Sequence, residues 1–175
     1  MMEKGMQTLK GFHMNKRFVG CYCVVALIGA VHGWPVTSWA QDSPDFAAQQ
    51  KSLLELTNAE RKKKDLAPVK ASPLLYKVAL AHSQSMAKAG KLEHKLDGKS
   101  PLDRLRDAGY QFNSMGENVA RLSGSTSMET LMKMWIESKI HRDNILNPDV
   151  TEIGLGLASD GNGQIYYTQI LARPR

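Results

Sequence analysis

The residues best suited to chemistry lie in the segment "MWIESKIHRDNILNP", which runs from Met134 to Pro148. This segment holds Ser138 and His141, in a chain that has five histidines in total. A histidine can act as a general base or bind a metal, and a serine beside a base can act as a nucleophile. With the carboxylate of Glu117, the two residues supply the types found in a serine–histidine–acid triad. Ser138 is flanked by a glutamate and a lysine and lacks the glycines of a nucleophile turn, which argues against a hydrolase.

The first forty residues have the pattern of a secretory signal peptide. Lys16 and Arg17 precede the apolar run "FVGCYCVVALIGAV", and Ser38 and Ala40 occupy the −3 and −1 positions of a small-residue cleavage site. The run is shorter than the roughly 20 apolar residues of a membrane-spanning helix. We therefore expect cleavage after Ala40, a secreted or periplasmic location, and no stable membrane span in the mature protein. An uncleaved N-terminal anchor is the alternative.

The charge of the chain gives little support to a nucleic-acid partner. The net charge is +6, but residues 1–40 hold four basic and one acidic residue, which leaves 19 basic against 16 acidic residues in the remainder. Nucleic-acid-binding domains gather basic residues on one surface. The only basic run, "RKKK" at Arg61–Lys64, falls at the predicted end of a helix, where cations favour the dipole and are usually solvated.

Helices are predicted in the first two thirds of the remaining chain and strands in the last. Residues 41–49 form a short tether, in which Pro44 already opens the first helix, and residues 50–175 form one domain. The predicted helices, opened by capping residues or prolines, run from Pro44 to about Lys64, from Pro73 to about Ala89, from Pro101 to Gly109, and from Thr126 through His141. A short strand is predicted at "GENVARL", and "DGNG" joins the strands "TEIGLGLAS" and "QIYYTQILA" in a hairpin. This order predicts an α+β fold.

Other polar residues near these elements have a simpler interpretation. Arg142 and Asn144 precede Pro148, and such a sequence suits the end of a helix, so we expect structural roles for all three. His82 is interpreted as an ordinary helix-face residue.

Six motifs in a fixed order give the chain a family resemblance. "GENVA", "WIESKIHRDNILNP", "IGLG" and "YTQ" follow two earlier segments, "LTNAERKKKDLAPVKASPLLYKVALAHSQSMA" and "LEHKLDGKSPLDRLRDAGY". Together they resemble the bacterial branch of the CAP superfamily, that of cysteine-rich secretory proteins, antigen 5 and pathogenesis-related proteins, whose domain is also called SCP. The resemblance covers residues 50–172. It implies a three-layer α-β-α sandwich with a central antiparallel sheet and an open cleft.

The resemblance also implies which residues line that cleft. His94, Glu117 and His141 match the two histidines and the glutamate of the family, and Ser138 stands where many eukaryotic members have a second glutamate. The histidine that many members carry just before "YTQ" is absent here. His94 and His141 are therefore the candidate metal ligands, for a zinc ion that the protein does not require. We expect His141 at the C-terminal end of the fourth helix, where the helix dipole favours its protonated form.

The favoured function is an exported, non-enzymatic CAP protein whose cleft binds a small ligand, either a lipid or a peptide. A hydrolase acting in the same cleft through Ser138, His141 and Glu117 is the first alternative. A non-catalytic interaction module of the cell envelope, with a vestigial cleft, is the second. The sequence identifies no protein partner.

Overall fold

The computed structural model describes residues 45–175, so the predicted signal peptide and residues 41–44 of the tether lie outside the described residues. Five helices and four strands follow one another along this part of the chain. They are α1 (Phe46–Lys62), β1 (Lys70–Ala71), α2 (Pro73–Ala89), α3 (Pro101–Asp107), β2 (Phe112–Ser123), α4 (Met128–Glu137), α5 (Lys139–Ile145), β3 (Glu152–Ser159) and β4 (Gln164–Pro174). None of the helices within residues 45–175 is long and apolar enough to cross a bilayer.

The sheet has the strand order β1-β3-β4-β2. The predicted hairpin is confirmed: β3 and β4 pair antiparallel, from Glu152 opposite Ala172 to Ser159 opposite Ile165. β2 is also antiparallel to β4, and at twelve residues it is longer than the short strand predicted from "GENVARL". The two-residue β1 pairs parallel with β3, so the sheet is mixed at this edge, where the prediction was wholly antiparallel.

Helices cover both faces of the sheet, which confirms the predicted three-layer α-β-α sandwich. On one face α2 and α3 contribute Leu75 and Leu105 to a cluster with Ile170 of β4. On the other face α1, α4 and α5 pack against the sheet in the larger cluster. Its buried members include Leu53, Trp135, Ile145, Leu155 and Tyr167. Side chains along a strand alternate between the two faces, so β4 contributes residues to both clusters.

The helices begin and end at capping residues, only some of which were predicted from the sequence. α2 begins after Ser72 and ends at Gly90, as predicted, and Gly90 has the left-handed conformation (φ 66°) that favours glycine there. α1 is capped by Asp45, whose side chain accepts a hydrogen bond from the Ala48 amide, and residues 46–49 of the predicted tether are helical. α4 is capped by Ser127 and not by Thr126, one residue later than its capping-box spacing indicated.

The prediction of one helix running through His141 was wrong. α4 stops at Glu137, and Ser138 has an extended backbone (φ −82°, ψ 120°) before α5 starts at Lys139. Arg142 donates to the carbonyl of Ile136 at 3.0 Å and thereby caps the end of α4. The chain therefore turns at Ser138, and the turn is held by a side chain from the next helix.

The prediction of a solvated "RKKK" run was wrong for Arg61, which is fully buried. Its guanidinium donates four hydrogen bonds to main-chain carbonyls, at 2.8 to 3.2 Å. The acceptors are Ala67, Ile145, Asn147 and Val150. Burial lowers the pKa of Arg61, because a charged group is disfavoured away from water. Arg61 thus ties the end of α1 to the segment that follows α5.

Two glycines of β3 let α2 lie directly against the sheet. A Cβ atom on Gly156 would stand 2.1 Å from the carbonyl carbon of Ala79, and one on Gly154 would stand 2.2 Å from that of Leu75. Both obstacles are helix backbone, which cannot move aside as a flexible side chain can. The "IGLG" motif is therefore a packing requirement of the α2 layer.

We expect Gly156→Ala to lower the free energy of unfolding by about 3 kcal/mol or more, because the added methyl group must displace α2. Urea unfolding monitored by circular dichroism would measure the loss. Gly124→Ala is the matched control, since its Cβ would meet nothing closer than the Ile165 Cδ1 atom at 3.4 Å. Equal stability of the two variants would contradict the tight packing of α2 on β3.

Candidate functional site

Glu117 is the centre of the polar site. Its side chain is only 2% exposed, yet it carries a carboxylate. The Oε2 atom accepts a hydrogen bond from Nη2 of Arg104 at 2.6 Å, and Oε1 lies 2.9 Å from Nδ1 of His94. Nε2 of His82 is 3.8 Å from the same Oε1 atom. A buried carboxylate requires such partners, because an unpaired charge away from water is very costly.

The position of Glu117 follows from strand β2. The residue was predicted at the start of a short strand, but it lies in the middle of β2, opposite Ile170 of β4. Alternation along the strand points Glu117 towards α2 and α3. Its neighbour Asn118 faces the α5 side instead, where its amide donates to the carbonyl of His141 at 3.1 Å.

The remainder of the "GENVA" motif fastens α5 to β2. The amide of Asn144 donates to the carbonyl of Glu117 at 3.2 Å and to Oδ1 of Asn118 at 2.8 Å. Gly116 makes room for this contact, since a Cβ atom there would stand 2.5 Å from Oδ1 of Asn144. The structural role predicted for Arg142 and Asn144 is thus confirmed.

Arg104 on α3 was not among the residues singled out from the sequence. Besides its bond to Glu117, it donates through Nη1 to the carbonyls of His94 and Lys99, at 2.9 and 3.1 Å. It therefore holds the loop of residues 91–99 against the sheet and places His94 beside Glu117. The segment "LEHKLDGKSPLDRLRDAGY" contains both residues, but its spacing does not show that an arginine joins them.

His82 was interpreted as an ordinary helix-face residue, and the structure corrects this. Its side chain is buried, and Nε2 lies 3.0 Å from the carbonyl of Glu93. Burial lowers the pKa of His82, and this outweighs the opposite effect of nearby Glu117. His82 thus packs beneath the 91–99 loop, where burial favours the neutral form of its ring.

His141 lies near the start of a helix and not at the end of one. It is the third residue of α5, so the expected dipole stabilisation of its protonated form is absent. Burial lowers the pKa of His141, and the nearby charge of His94 lowers it further. The two histidines are joined to neighbouring residues of β2, His94 through its ring to Glu117 and His141 through its carbonyl to Asn118.

Four residues were predicted to line the cleft, and the structure shows direct side-chain contact between only two of them, His94 and Glu117. His94 and Glu117 are in direct contact, and His141 is tied to the same strand through its backbone carbonyl. Ser138 forms the bend before α5, and its side chain makes no hydrogen bond within residues 45–175. In that part of the chain, no three histidine, cysteine, aspartate or glutamate side chains are grouped so as to hold a metal ion.

Comparison with known proteins identifies the family. The model of the cysteine-rich secretory protein family, CAP, matches residues 54–171, which include His94, Glu117, Ser138 and His141. The chain belongs to this family.

Two curated relatives come from Bacillus subtilis. The chain is 38% identical to the uncharacterized protein YkwD over 117 residues, and the aligned part covers 66% of this chain and 45% of that protein. It is 32% identical over 123 residues to the uncharacterized membrane protein YlbC of the same organism, 69% of this chain and 33% of that protein. The chain thus spans less than half the length of these curated relatives.

Solved structures confirm the CAP fold. An outer surface protein of Borrelia burgdorferi superposes with a TM-score of 0.69 at 21% identity, over 75% of this chain and 96% of that one. An extracellular SCP-domain protein of Bacillus anthracis superposes with a TM-score of 0.65 at 26% identity, over 73% of this chain and 41% of that one. Bacterial members of the family are therefore among the structures that this chain resembles.

We expect Glu117→Gln to lower the free energy of unfolding by about 3 kcal/mol, because it leaves the guanidinium of Arg104, which is 11% exposed, without its counter-charge. Arg104→Met should also destabilise the protein, because it leaves the carboxylate unpaired. The double variant should lose less than the sum of the two single losses. Urea unfolding of all four proteins measures this coupling, and strictly additive losses would contradict it.

We also expect the stability to fall as the pH is lowered from about 7 through 6.5, the ordinary pKa of histidine. The pKa values of His82 and His141 are lowered in the folded protein, so the unfolded chain takes up protons more readily. The stability contributed by these two histidines is fully present above about pH 6.5 and is lost as the pH falls below that value. Thermal unfolding between about pH 7.5 and 5.5 tests this, within the range where histidines titrate. A His82→Gln, His141→Gln variant with an unchanged pH slope would contradict it.

Proposed function

We propose that the protein is an exported, non-enzymatic CAP-domain protein whose cleft at His94, Glu117, Ser138 and His141 binds a small ligand, a lipid or a peptide. The observation that carries the proposal is the state of His94. Its ring is oriented by a buried carboxylate at 2.9 Å, yet half of its side chain is exposed. A histidine that is both fixed and accessible is suited to recognition, because little side-chain freedom is lost on binding.

The hydrogen bond of His94 defines which of its atoms meets a ligand. When Nδ1 donates to Glu117, the other nitrogen, Nε2, carries the lone pair and can accept a hydrogen bond or bind a metal. Nε2 makes no hydrogen bond within residues 45–175, in which Glu117 and Arg104 engage the other polar atoms around it. The cleft therefore offers a hydrogen-bond acceptor at a defined position.

Exposed apolar side chains that neighbour the histidines in sequence favour a ligand with an apolar part. Ile140, directly before His141, is 74% exposed, and Met134 on the preceding helix is 46% exposed. Leu92, two residues before His94, is also exposed. Large apolar side chains near convergent polar groups are typical of sites that bind amphipathic molecules. Lipids and peptides both combine these features.

The arrangement of the acid supports binding over hydrolysis. In a serine–histidine–acid triad the carboxylate orients the base that contacts the serine. Here the carboxylate oxygens of Glu117 contact Arg104 and His94, and not His141. Ser138 occupies an extended bend instead of the strained turn of a nucleophile.

The cleft could bind a divalent metal, but its structure does not depend on one. His94 and His141 would hold it through two imidazole nitrogens, with solvent in the remaining positions, since Glu117 is engaged by Arg104. Zinc accepts such nitrogen ligands and would supply a positive centre for an anionic group of the ligand. Two protein ligands predict weak binding.

Export is proposed from the pattern of residues 1–40 and from one relative. The Bacillus anthracis protein, 26% identical to this chain, is described as extracellular. The charged region, apolar run and small-residue cleavage site of this chain fit the same route. A secreted or periplasmic location would expose the cleft to ligands outside the cytoplasm.

We expect the wild-type protein, purified from its exported fraction, to carry a lipid or peptide that a His94→Ala, His141→Ala variant has lost. Mass spectrometry after solvent extraction and after denaturation would detect either class of ligand. A second experiment tests the metal. When the same two proteins are titrated with zinc in a calorimeter near neutral pH, only the wild type should bind zinc, and weakly. Protonation of either histidine removes a ligand, so the zinc heat should fall as the pH is lowered through the range where histidines titrate.

The variant must remain folded for this comparison, which its thermal unfolding would show. Equal ligand content in the two folded proteins would exclude the cleft as the binding site. Equal zinc heats would exclude His94 and His141 as metal ligands. A wild-type protein without any ligand would favour the interaction module of the cell envelope.

A further inference from the structure

The outer edge of β2 has main-chain groups that face away from the sheet. β2 is the last strand in the order β1-β3-β4-β2, and within residues 45–175 it pairs only with β4. Just past the strand, the amide of Gly124 donates to the carbonyl of Gly163 at 2.9 Å. Bonded pairs recur at every second residue of an antiparallel ladder, so the even-numbered residues of β2 bond to β4. Val119 and Arg121 therefore direct their N–H and C=O groups outward.

A contact near the middle of the strand agrees with this alternation. The side chain of Asn144 donates to the carbonyl of Glu117 at 3.2 Å, so Glu117 also turns its main chain outward, and α5 closes the edge at that point. Two residues further on, the amides and carbonyls of Val119 and Arg121 have no hydrogen-bond partner within residues 45–175. We call this open part of β2 the 119–121 edge.

The 119–121 edge lies between the elements that carry the two cleft histidines. His94 bonds to Glu117 on the α2 face of β2, and the carbonyl of His141 is bound by the next residue of the strand on the α5 face. Val119 is 8% exposed and Arg121 is exposed, so the edge opens to solvent at Arg121. A chain paired with this edge would run from the surface towards Glu117 and the cleft.

An extended peptide is the ligand whose chemistry matches this edge. Outward-facing residues of a strand lie about 7 Å apart, and each offers one donor and one acceptor, which is the repeat of another peptide main chain. A lipid has no such repeat. Adding a strand to an exposed sheet edge is a recurrent way of binding peptides. Edges that are not used in this way are usually blocked, for example by a bulge, and the register shift of β2 lies at its other end, between Phe112 and Ser114.

The side chains of the edge select among peptides. Val119 packs with Met86 and Tyr166 on the α2 face, and the guanidinium of Arg121 lies over the ring of Tyr166, 6.0 Å from its centroid. Arg121 makes no ion pair within residues 45–175. Opposite charges directly across a strand pair are stabilising, and like charges are destabilising. The edge therefore favours an acidic residue opposite Arg121 and an apolar residue opposite Val119.

A second copy of the chain does not fit this edge. Two β2 edges centred on Arg121 would place two arginines directly opposite each other, which is destabilising. A pair centred on Val119 would place Arg121 opposite Glu117, whose carbonyl already accepts a hydrogen bond from Asn144. The occupant is therefore a different peptide segment.

We propose that the 119–121 edge binds an extended peptide by antiparallel strand addition, with an acidic residue opposite Arg121 and an apolar residue opposite Val119. This inference rests on the proposed function and narrows it, because it selects a peptide over a lipid as the ligand of the cleft. The peptide main chain exchanges hydrogen bonds with Val119 and Arg121 and passes between the faces that carry His94 and His141. Main-chain bonds supply the affinity, and Arg121 supplies the selectivity.

A synthetic peptide with blocked ends, Thr-Val-Thr-Glu-Thr-Val-Thr, is the probe. Its sequence is symmetric, so its glutamate can lie opposite Arg121 with a valine opposite Val119. Amide hydrogen exchange, measured by nuclear magnetic resonance, should slow at Val119 and Arg121 when the peptide is added. The amides of Ala120 and Leu122, which already bond to β4, should change little. Replacing the glutamate of the probe by lysine should weaken binding up to about fivefold.

Two variants separate the main chain of the edge from its charge. Arg121→Pro removes the outward amide and leaves the ladder to β4 intact, because proline is tolerated where the N–H faces away from the sheet. This variant should lose binding of the probe. Arg121→Ala, the matched control, keeps the amide and loses the charge, so it should bind the glutamate and lysine peptides alike. Thermal unfolding shows whether each variant is folded.

Methylated peptides test the same bonds without changing the protein, and they keep the test decisive should Arg121→Pro misfold. In an antiparallel pair the residue opposite Arg121 turns its own N–H towards β2, and its neighbours turn theirs away. A methyl group on the glutamate nitrogen should therefore abolish binding to the wild type. The same methyl group on the nitrogen of the following threonine should leave binding unchanged.

Three outcomes would overturn the inference. The first is equal binding of the two methylated peptides, and the second is unchanged exchange at Val119 and Arg121 in about 1 mM probe, the weak end of specific binding. The third is a wild type that sediments as a dimer while Arg121→Pro is a monomer, since a second copy would then occupy the edge. A lipid extracted from the exported protein, with no binding of the probe, would refute strand addition and leave the proposed function intact. Absence of both lipid and peptide would refute the proposed function itself.

Discussion

The carboxylate of Glu117, buried in the middle of β2, is the constraint on which the site depends. A buried charge is tolerated only when it is paired and hydrogen-bonded. Arg104 supplies the opposite charge and His94 a hydrogen bond, so α3 and the 91–99 loop both contact the carboxylate of Glu117. The loop has little regular structure of its own, and Arg104 also holds two of its carbonyls. The position of His94 is therefore a consequence of where Glu117 is buried.

Strand alternation extends this constraint to the other face of the sheet. Glu117 faces α2 and α3, and the next residue, Asn118, faces α5, where it binds the carbonyl of His141. Asn144 closes the arrangement by donating to both residues of the strand. Two consecutive residues of one strand thus set the positions of both histidines, which come from segments far apart in the chain. This explains why the cleft residues share no local spacing motif in the sequence.

Much of the fold could be predicted because its signals are local. The hairpin follows from "DGNG" between two strand-like segments, and the limits of α2 follow from Ser72 and Gly90. The polar interior could not be predicted in this way. Arg61 lies in a basic run that looks solvated, but its carbonyl partners from Ile145 onwards are more than eighty residues away. The partners of His82 and Arg104 also lie outside their own helices, so only the family resemblance pointed to this region.

Arg104 has a further consequence for how the protein can respond to ligands. Its Nη atoms donate to the carboxylate of Glu117 and to carbonyls of the loop that carries His94. A guanidinium is rigid and planar, so its donors cannot be redirected independently of one another. A ligand that displaced His94 would therefore also shift Arg104 and, through it, the loop and the buried carboxylate. Glu117, Arg104 and His94 lie on one face of the sheet, so this coupling passes through one side chain and requires no rearrangement of the strands.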